Sequence, residues 1–299
     1  MNFFTKELSH YAALADNIKI NYRTFPIEKK SGKLRWIDAP SADLKNAQLE
    51  ILFNFLYKFS PHPAATGFIK GFGVHEGAAR HVGAKFVINL DLSNFFNSIK
   101  KGRVIKLFHH LLLRIMEMND IQNIDKVEFN RLRDLLVSLC IYKNRLPQGA
   151  CTSPAIANLI AEKLDEQLYS FAEEHDLIYS RYADDLSFSG NGKSDPSIIN
   201  EIVQIIEQND FKVNNKKTSV KTSNKRMVVT GIVVNKQLGL PKYKRKIFRA
   251  TLHNLLKNNT PVSKEDLQKL RGYAEWIRLL NPRVGAIFLQ QIRRLQVAS

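Results

Sequence analysis

Two short runs of β-forming residues meet at a pair of carboxylates within residues 178–188 (IYSRYADDLSF). Runs of this kind predict two strands, and Asp184 and Asp185 fall where a hairpin would turn. Adjacent ionised carboxylates repel each other, so their position beside apolar strands favours a site for a multivalent cation. Mg²⁺ is the ion expected for such oxygen ligands. Because Asp pairs also occur in ordinary turns, the pair alone leaves a purely structural turn open.

The chain has the length and apolar content of a globular protein. Its 299 residues, 44% of them hydrophobic, can bury one large domain or several smaller lobes. There is no run of ~18 apolar residues and no basic start followed by an apolar core, so we expect neither a membrane span nor a signal peptide. Cys140 and Cys151 form no CxxC pair, which indicates a reducing compartment and argues against zinc. We therefore expect a cytoplasmic protein.

The charge of the chain is strongly positive and unevenly distributed. Lys and Arg number 45 against 28 Asp and Glu, a net charge of +17 that favours polyanionic partners. Residues 211–264, called the acid-free segment below, contain no acidic residue although Lys and Arg recur along them. A surface that serves only solubility usually mixes both signs, so this segment predicts nucleic-acid binding.

Periodicity and turn residues divide the first part of the chain into predicted elements. A basic hairpin is expected over residues 29–40 with its turn at residues 31–32, followed by an amphipathic helix over residues 44–57. The glycine-rich residues 67–83 are expected to be irregular. They lead into an apolar strand at residues 86–91 that ends on an acid.

The remainder of the chain is predicted to be mainly helical, with hairpins between the helices. The last helices form a block that we expect to be separable. In chain order, the elements are helices over residues 101–142, a break at 146–149, a helix from Pro154 to Leu168, the acidic hairpin, a helix over 197–207, a hairpin over 227–235, and helices starting near Lys242 and Ser263, the latter ending near Pro282.

Three carboxylates are expected to converge in this arrangement. A strand, a helical insertion and a later strand hairpin make a split α+β topology, in which distant segments pair as neighbouring strands. Asp91 can then lie beside Asp184 and Asp185. Acids at neighbouring strand ends suit a two-metal site, which activates an attacking 3′- or 2′-hydroxyl and stabilises leaving pyrophosphate.

Five segments occur in the order found in reverse transcriptases, and the resemblance covers roughly residues 20–240. It implies an α+β, right-hand polymerase fold and an RNA-directed DNA polymerase (nucleotidyltransferase) activity, and it favours metal binding over a plain turn. The segments are LRWIDAP (34–40), LDLSNFF (90–96), LPQGACTSP (146–154), YADD (182–185) and NNKKT (214–218).

The resemblance also implies a division into fingers, palm and thumb. Fingers are expected in residues 1–84. A palm of antiparallel sheet plus helices is expected in residues 85–100 and 146–235, with a helical insertion of fingers and palm in residues 101–145. A small, helical, RNA-binding thumb is expected in residues 236–299.

Individual residues are assigned by the same resemblance. Asp91, Asp184 and Asp185 match the catalytic, metal-binding aspartates, and the Leu92 backbone carbonyl would supply a further ligand to two Mg²⁺ ions, or Mn²⁺ in their place. Phe96 matches the aromatic steric gate of the family. A ring packed beneath the sugar leaves no space for a 2′-hydroxyl, so we expect a preference for deoxynucleotides.

Further matches surround the incoming nucleotide. Gln148 and Gly149 match the wall of the nucleotide pocket, where glycine lets the backbone approach closely. Arg35, together with Lys33 or Lys30, matches residues of the fingers that grip the triphosphate, a task suited to the planar guanidinium fork.

Other matches are less direct. Lys217 matches a palm residue beside the leaving pyrophosphate that can act as a general acid. Residues 77–81 (GAARH) meet only part of the Asn-Ala-x-x-His signature of retron reverse transcriptases, since Gly replaces Asn. We expect His81 to be packed or hydrogen-bonded rather than catalytic, and Cys151 to be a packing residue.

Residues 229–231 indicate which reverse transcriptase group the chain resembles. Val229-Thr230-Gly231 matches a signature that retron reverse transcriptases carry just after the palm. That resemblance implies a bacterial cytoplasmic enzyme that uses dNTPs and a structured noncoding RNA. DNA would start from a guanosine 2′-hydroxyl of that RNA and give branched, RNA-linked single-stranded DNA (msDNA), in antiphage defence with an effector protein and without membrane contact.

The acid-free segment and the C-terminal helices are where we place the RNA contacts, made mostly to phosphate and by shape. The residues assigned to nucleic-acid binding are Val229, Thr230, Gly231, Lys242, Tyr243, Lys244, Arg245, Lys246 and Arg249, with Arg271 and Arg278 further along.

Two alternatives remain at this point. The catalytic motifs are shared by other compact reverse transcriptases of the group-II-intron-like or diversity-generating kind. A scaffold role is also open, in which the protein and its bound nucleic acid restrain an effector protein and synthesis is secondary.

Overall fold

The structure is a computed structural model that describes residues 5–29, 32–122, 124–192 and 197–296. An antiparallel sheet forms its main β structure. In this described part the sheet has four strands in the order β4-β5-β3-β6. The strand predicted at residues 86–91 and the acidic hairpin are both confirmed. The strands are β3 (Phe86–Asp91), β4 (Leu177–Tyr182), β5 (Asp185–Gly190) and β6 (Ser219–Thr222).

A hydrophobic core fills the space between this sheet and the helices packed on it. The predicted helical insertion is confirmed as α5 (Lys101–Met118) and α6 (Lys126–Cys140), whose faces bury Phe108, Leu111 and Leu136. The helix predicted from residue 197 is also confirmed, as α9 (Ser197–Gln208).

The helix predicted from Pro154 to Leu168 is divided into α7 (Ser153–Ile160) and α8 (Glu162–Glu174). Pro154 lies in the first turn of α7, where its missing amide hydrogen leaves no bond unmade. Hydrophobic periodicity could not predict the interruption at Ala161, because an apolar side chain fits both one continuous helix and two helices that meet there.

An N-terminal hairpin is present, but only its second strand, β2 (Leu34–Pro40), lies in the predicted range 29–40. Its first strand, β1 (Tyr22–Glu28), lies before that range. Of its predicted turn, Gly32 has a positive φ of 75°, while Ser31 and Lys30 lie outside the described residues. α1 (Leu8–Asp16) precedes the hairpin. α2 (Ala42–Asn54) follows it, capped by Ser41, and ends before the predicted residue 57, where a 3₁₀ turn (Leu56–Lys58) takes over.

The glycine-rich stretch was predicted to be irregular. This is wrong for part of it, because it contains α3 (Val74–Ala79). α3 packs on the back of β4, and a Cβ on Gly77 would come within 2.6 Å of the Thr66 hydroxyl oxygen. Glycine therefore allows close packing inside a helix here. The sequence did not predict this, because glycine is also frequent in loops.

The C-terminal part forms a separate hydrophobic cluster, built around Phe248, Leu252, Ile277 and Phe288. Its predicted hairpin and helices are confirmed, including the cap in which the Ser263 hydroxyl accepts from the Asp266 amide at 3.0 Å. Its elements are β7 (Val228–Val229), β8 (Ile232–Val233), α10 (Lys242–Lys257), α11 (Lys264–Leu280) and α12 (Pro282–Ile292).

The remaining short element is α4 (Phe95–Ser98), which begins four residues beyond the end of β3. Among the described residues, no helix is both long and apolar enough to cross a membrane.

Candidate active site

The acidic residues converge at one end of the sheet. β3 and β5 pair in a register that sets Asp91 opposite Asp185, and the Leu92 amide donates to the Asp184 carbonyl at 2.8 Å. Asp91 is 6% exposed, Asp184 is half-buried and Asp185 is exposed at the strand start. The predicted position of Asp91 beside Asp185 on neighbouring strands is therefore confirmed, and Asp184 lies in the turn between β4 and β5.

The electrostatics of this acidic cluster (Asp91, Asp184 and Asp185) favour a positive partner. Desolvation by the surrounding strands, followed by repulsion from Asp184 and Asp91, raises the pKa of Asp185 to about 6. Desolvation and the charge of Asp91 also raise the pKa of Asp184. Carboxylates that resist ionisation in this way are stabilised as anions when a cation is added.

A lysine reaches the same cluster from the loop before β6. The Lys217 ammonium donates to Asp91 Oδ1, and this bond raises the pKa of Lys217. The backbone of that loop is fixed as well, since the Asn214 amide donates to the Asp91 carbonyl at 2.8 Å. The ammonium is thus held beside the carboxylates while most of its side chain stays exposed.

The donor chemistry of the cluster fits a divalent ion. Carboxylate oxygens are the ligands that Mg²⁺ prefers, and burial, followed by repulsion from neighbouring carboxylates, raises the pKa of Asp184 and Asp185. Within the described ranges, no group of three or more His, Cys, Asp or Glu side chains is arranged to hold a metal ion. The ammonium of Lys217 satisfies Asp91 in this arrangement instead.

The aromatic residue predicted as the steric gate follows Asp91 by five residues, in the short helix after β3. Phe96 is half-buried in α4 and its ring centroid is 5.4 Å from that of Phe95, which packs in turn against Phe211. α4 begins after Asn94, whose φ of 53° turns the chain sharply out of β3. The Phe96 ring also lies 6.0 Å from that of Phe68, which in turn lies 6.2 Å from the ring of Tyr182, two residues before Asp184.

The residues predicted to contact the nucleotide approach this end from β2 and from the loop before α7. The Asp38 amide donates to the Gln148 carbonyl at 2.9 Å, and a Cβ on Gly149 would come within 2.5 Å of the Asp38 carbonyl oxygen. Burial raises the pKa of Asp184, and the charge of Arg35, which is exposed on β2, opposes that rise to a small extent. Lys33 is exposed beside the turn.

The sequence of the chain was compared with known protein families and with individual proteins. Residues 27–267 match the family described as "Reverse transcriptase (RNA-dependent DNA polymerase)". The chain is 32% identical to the Retron Ec86 reverse transcriptase of Escherichia coli, across 92% of this chain and 81% of that protein. It is also 32% identical to the Retron Mx162 reverse transcriptase of Myxococcus xanthus, across 92% of this chain and 61% of that protein.

The chain belongs to the retron reverse transcriptases. It is an RNA-directed DNA polymerase, and enzymes of this family use divalent metal ions. Its fold is the right-hand polymerase fold. The telomerase of Candida tropicalis, solved with a fragment of telomeric RNA, has a TM-score of 0.52 and 12% identity over 92% of this chain and 52% of its own. The apo form has a TM-score of 0.51 and 11% identity, over 98% and 64%.

In this retron reverse transcriptase, Thr230 and Gly231 of the Val229-Thr230-Gly231 motif border a cavity that Asp185 also lines. This cavity of about 280 Å³ is lined by Thr230 and Gly231 on one side and by Tyr182 and Asp185 on another. Thr230 and Gly231 both have positive φ, 48° and 84°, and the Thr230 hydroxyl donates to the Val74 carbonyl at 3.0 Å. The motif could be found in the sequence, but its position beside Asp185 depends on tertiary packing.

The basic residues predicted to bind RNA lie mainly along α10. Phe248 and Leu252 bury one side of this helix, while Tyr243 is 53% exposed on it and lies 5.9 Å below the Arg226 guanidinium. Lys242, Lys246 and Arg249 are exposed, and Lys244 and Arg245 are half-buried. Arg271 is exposed on α11, and Arg278 there pairs with Glu275.

A buried polar network that the sequence analysis missed supports the acidic turn. The Arg181 guanidinium, fully buried, binds both oxygens of the equally buried Asp165 at 2.7 and 2.5 Å. It also donates to the Ala183 carbonyl and to Asn158 Oδ1, both at 3.1 Å. Arg181 stands directly before the YADD motif, but its partner Asp165 lies on α8, so the local sequence contains no signal of the pair.

Two residues outside this network have structural positions, as predicted. His81 is fully buried with both ring nitrogens 2.7 Å from serine hydroxyls, those of Ser189 and Ser180. Desolvation, with a smaller effect of Arg80, lowers the pKa of His81 to about 4. Cys151 is half-buried against the backbone of α2, and burial raises the pKa of its thiol.

Proposed function

We propose that this reverse transcriptase uses a structured noncoding RNA as both template and primer. DNA would start from a guanosine 2′-hydroxyl of that RNA, and the product would be branched, RNA-linked single-stranded DNA. The supporting observation is the pairing of two features. The chain is 32% identical to retron reverse transcriptases over 92% of its length, and its Val229-Thr230-Gly231 turn borders a cavity beside Asp185.

Asp91, Asp184 and Asp185 are the proposed ligands of two Mg²⁺ ions, or of Mn²⁺, with the Leu92 carbonyl as a backbone ligand. Ions bound there would lower the pKa of the attacking hydroxyl and neutralise charge on the leaving pyrophosphate. The raised pKa values of Asp184 and Asp185 support this role. Lys217 is positioned to donate a proton to the pyrophosphate, because its ammonium already lies at the cluster.

The incoming nucleotide would be held by residues around the same cluster. Phe96 is proposed to exclude the 2′-hydroxyl of a ribonucleotide, and Arg35 and Lys33 to bind the triphosphate. Gln148 and Gly149 are proposed to form the adjoining wall. This proposal is supported by the close packing of Gly149, whose backbone lies so near Asp38 that a side chain at position 149 would clash.

The C-terminal helices would then hold the RNA. Exposed basic residues of α10 offer phosphate contacts, and Tyr243 offers an aromatic surface. In this proposal the fingers comprise residues 1–84, the palm residues 85–100 and 146–235 around the 101–145 insertion, and the thumb residues 236–299. The enzyme would act in the bacterial cytoplasm, in antiphage defence with an effector protein.

Sequencing of the nucleic acid that copurifies with the protein tests the proposal. The expected result is one RNA species joined to single-stranded DNA through a 2′,5′ linkage, which a debranching enzyme would separate. A protein carrying Asp184→Asn with Asp185→Asn is the control, and it should retain the RNA without the DNA. Recovery of random cellular RNA and no branched product would contradict the proposal.

A further inference from the structure

Phe68 has a backbone conformation that bulky residues rarely adopt. Its φ is 61°, in the left-handed region, and its side chain is 42% exposed. Such strain persists only where surrounding contacts impose it, and it clusters at functional sites. The contacts of Phe68 therefore indicate what the strain achieves.

The ring of Phe68 lies among the aromatic residues of the active site. Its centroid is 6.0 Å from that of Phe96 and 6.2 Å from that of Tyr182. Among the described residues, Phe96 therefore has two aromatic neighbours, of which Phe95 is buried and Phe68 is exposed. Phe68 is therefore the exposed aromatic contact of the Phe96 ring.

The backbone that carries Phe68 is tied to the acidic turn. Asn158 donates to the Gly67 carbonyl at 2.9 Å and accepts from Arg181, whose guanidinium also binds the Ala183 carbonyl. A Cβ on Gly67 would come within 2.7 Å of the Ala183 nitrogen. One buried network therefore positions both the acidic turn and the strained Phe68.

We propose that Phe68 is a positioning residue that holds the Phe96 ring in the orientation that excludes a 2′-hydroxyl. The proposal rests on the role of Phe96 as the steric gate. Aromatic side chains rotate broadly about their terminal torsion, so a gate needs packing on its exposed side to present one face to the sugar. Phe68 supplies that packing, and its strained backbone is the consequence of bringing the ring there.

The test compares kcat/KM for a dNTP and the matching rNTP on an RNA template with a DNA primer. Phe96→Ala should lower the dNTP preference most. Phe68→Ala should lower it about tenfold, the scale of a lost apolar contact in a substrate pocket. Phe68→Tyr keeps the ring and should retain the preference. Phe72→Ala is the matched control, since Phe72 is 48% exposed and contacts no other aromatic ring among the described residues.

The outcomes separate this inference from the gate assignment. If Phe96→Ala relaxes selectivity and Phe68→Ala lowers kcat/KM equally for both nucleotides, the positioning role is wrong while the gate stands. If Phe96→Ala leaves selectivity unchanged, both fail. Melting temperatures check folding. Should Phe68→Ala not fold, Phe68→Leu decides the question, with a smaller fall in selectivity expected and an unchanged ratio overturning the inference.

Discussion

The acidic end of the sheet and the C-terminal helices are stabilised in opposite ways. Behind the acidic turn, charged groups are buried with specific partners, as in the fully buried Arg181–Asp165 pair. In the C-terminal helices, apolar residues such as Phe248 and Leu252 fill the interior, and charged groups such as Lys246 remain at the surface.

This difference matches two kinds of task. Catalysis requires groups held to within a fraction of an ångström, and a buried network supplies that precision because each lost partner leaves an unpaired charge or dipole. Binding to a phosphate backbone requires many similar contacts, each weak and screened by salt. Single substitutions should therefore have large effects in the first region and small ones in the second.

The largest effect is expected at the acidic cluster. Asp184→Asn with Asp185→Asn should lower DNA synthesis by at least about 10³-fold, because charge stabilisation at the reacting groups is lost. Primer extension with purified protein measures it. RNA affinity should stay within a factor of about two, since the nearest α10 contacts are unchanged. Substantial synthesis by this variant would remove the carboxylates from the mechanism.

The buried ion pair comes next. Asp165→Asn leaves the Arg181 guanidinium buried without its anion, and the free energy of unfolding should fall by about 3–5 kcal/mol. Urea denaturation measures this. Asp134→Asn is the matched control, because Asp134 pairs with Arg133 at the surface and its loss should cost less than about 1 kcal/mol. Equal effects of the two substitutions would contradict the contrast drawn here.

The buried His81 predicts how stability depends on pH. Its folded pKa of about 4 is below the ordinary value of 6.5, so the unfolded chain binds more protons between these values. The neutral ring contributes its full stability at pH values above 6.5, the pKa of His81 in the unfolded chain. This stability is lost as the pH falls toward about 4, the pKa of His81 in the folded protein. From pH 7 to pH 5 the loss should be about 2 kcal/mol.

Urea denaturation of the native protein and of His81→Asn at both pH values isolates this effect. The substituted protein should lose less stability on acidification, since Asn does not titrate and can still bond a serine hydroxyl. An identical pH dependence of the two proteins would mean that other groups determine it.

The smallest effect is expected for a single basic residue of α10. Lys246→Ala should weaken RNA binding by less than about tenfold and lower the slope of log affinity against log salt by about 0.7–0.9. Lys269→Ala is the control, because Glu265 and Asp266 already neutralise Lys269. A large loss of affinity that does not depend on salt would show that α10 also makes specific contacts.

Local sequence was sufficient to predict most of the secondary structure. The strand that ends at Asp91, the acidic hairpin and the C-terminal helices are confirmed, because short-range periodicity and turn residues determine such elements. It was insufficient where two interpretations fit the same pattern. Gly77 suits both a loop and a tightly packed helix, and Ala161 suits both a helix and its interruption.

The chemistry of the active site was predictable in its ligands but not in its supports. Asp91 and Asp185 were paired correctly because Asp91 ends one apolar strand and Asp185 begins another, and the two strands are antiparallel. Nothing in residues 177–182 shows that Arg181 is fully buried, since charged residues seldom are and Asp165 is its partner only in three dimensions.

The sequence by itself determined the elements, the acidic residues at their ends and the excess of positive charge, all of which follow from neighbouring residues and composition. Only the tertiary structure decided that Thr230 borders a cavity beside Asp185. It also decided that the Phe68 ring lies against Phe96, with the backbone before Phe68 held by a hydrogen-bond network that includes Arg181. The physical reason is that these contacts join residues far apart in the chain. Their partners are selected by packing across the whole sheet, which local patterns do not encode.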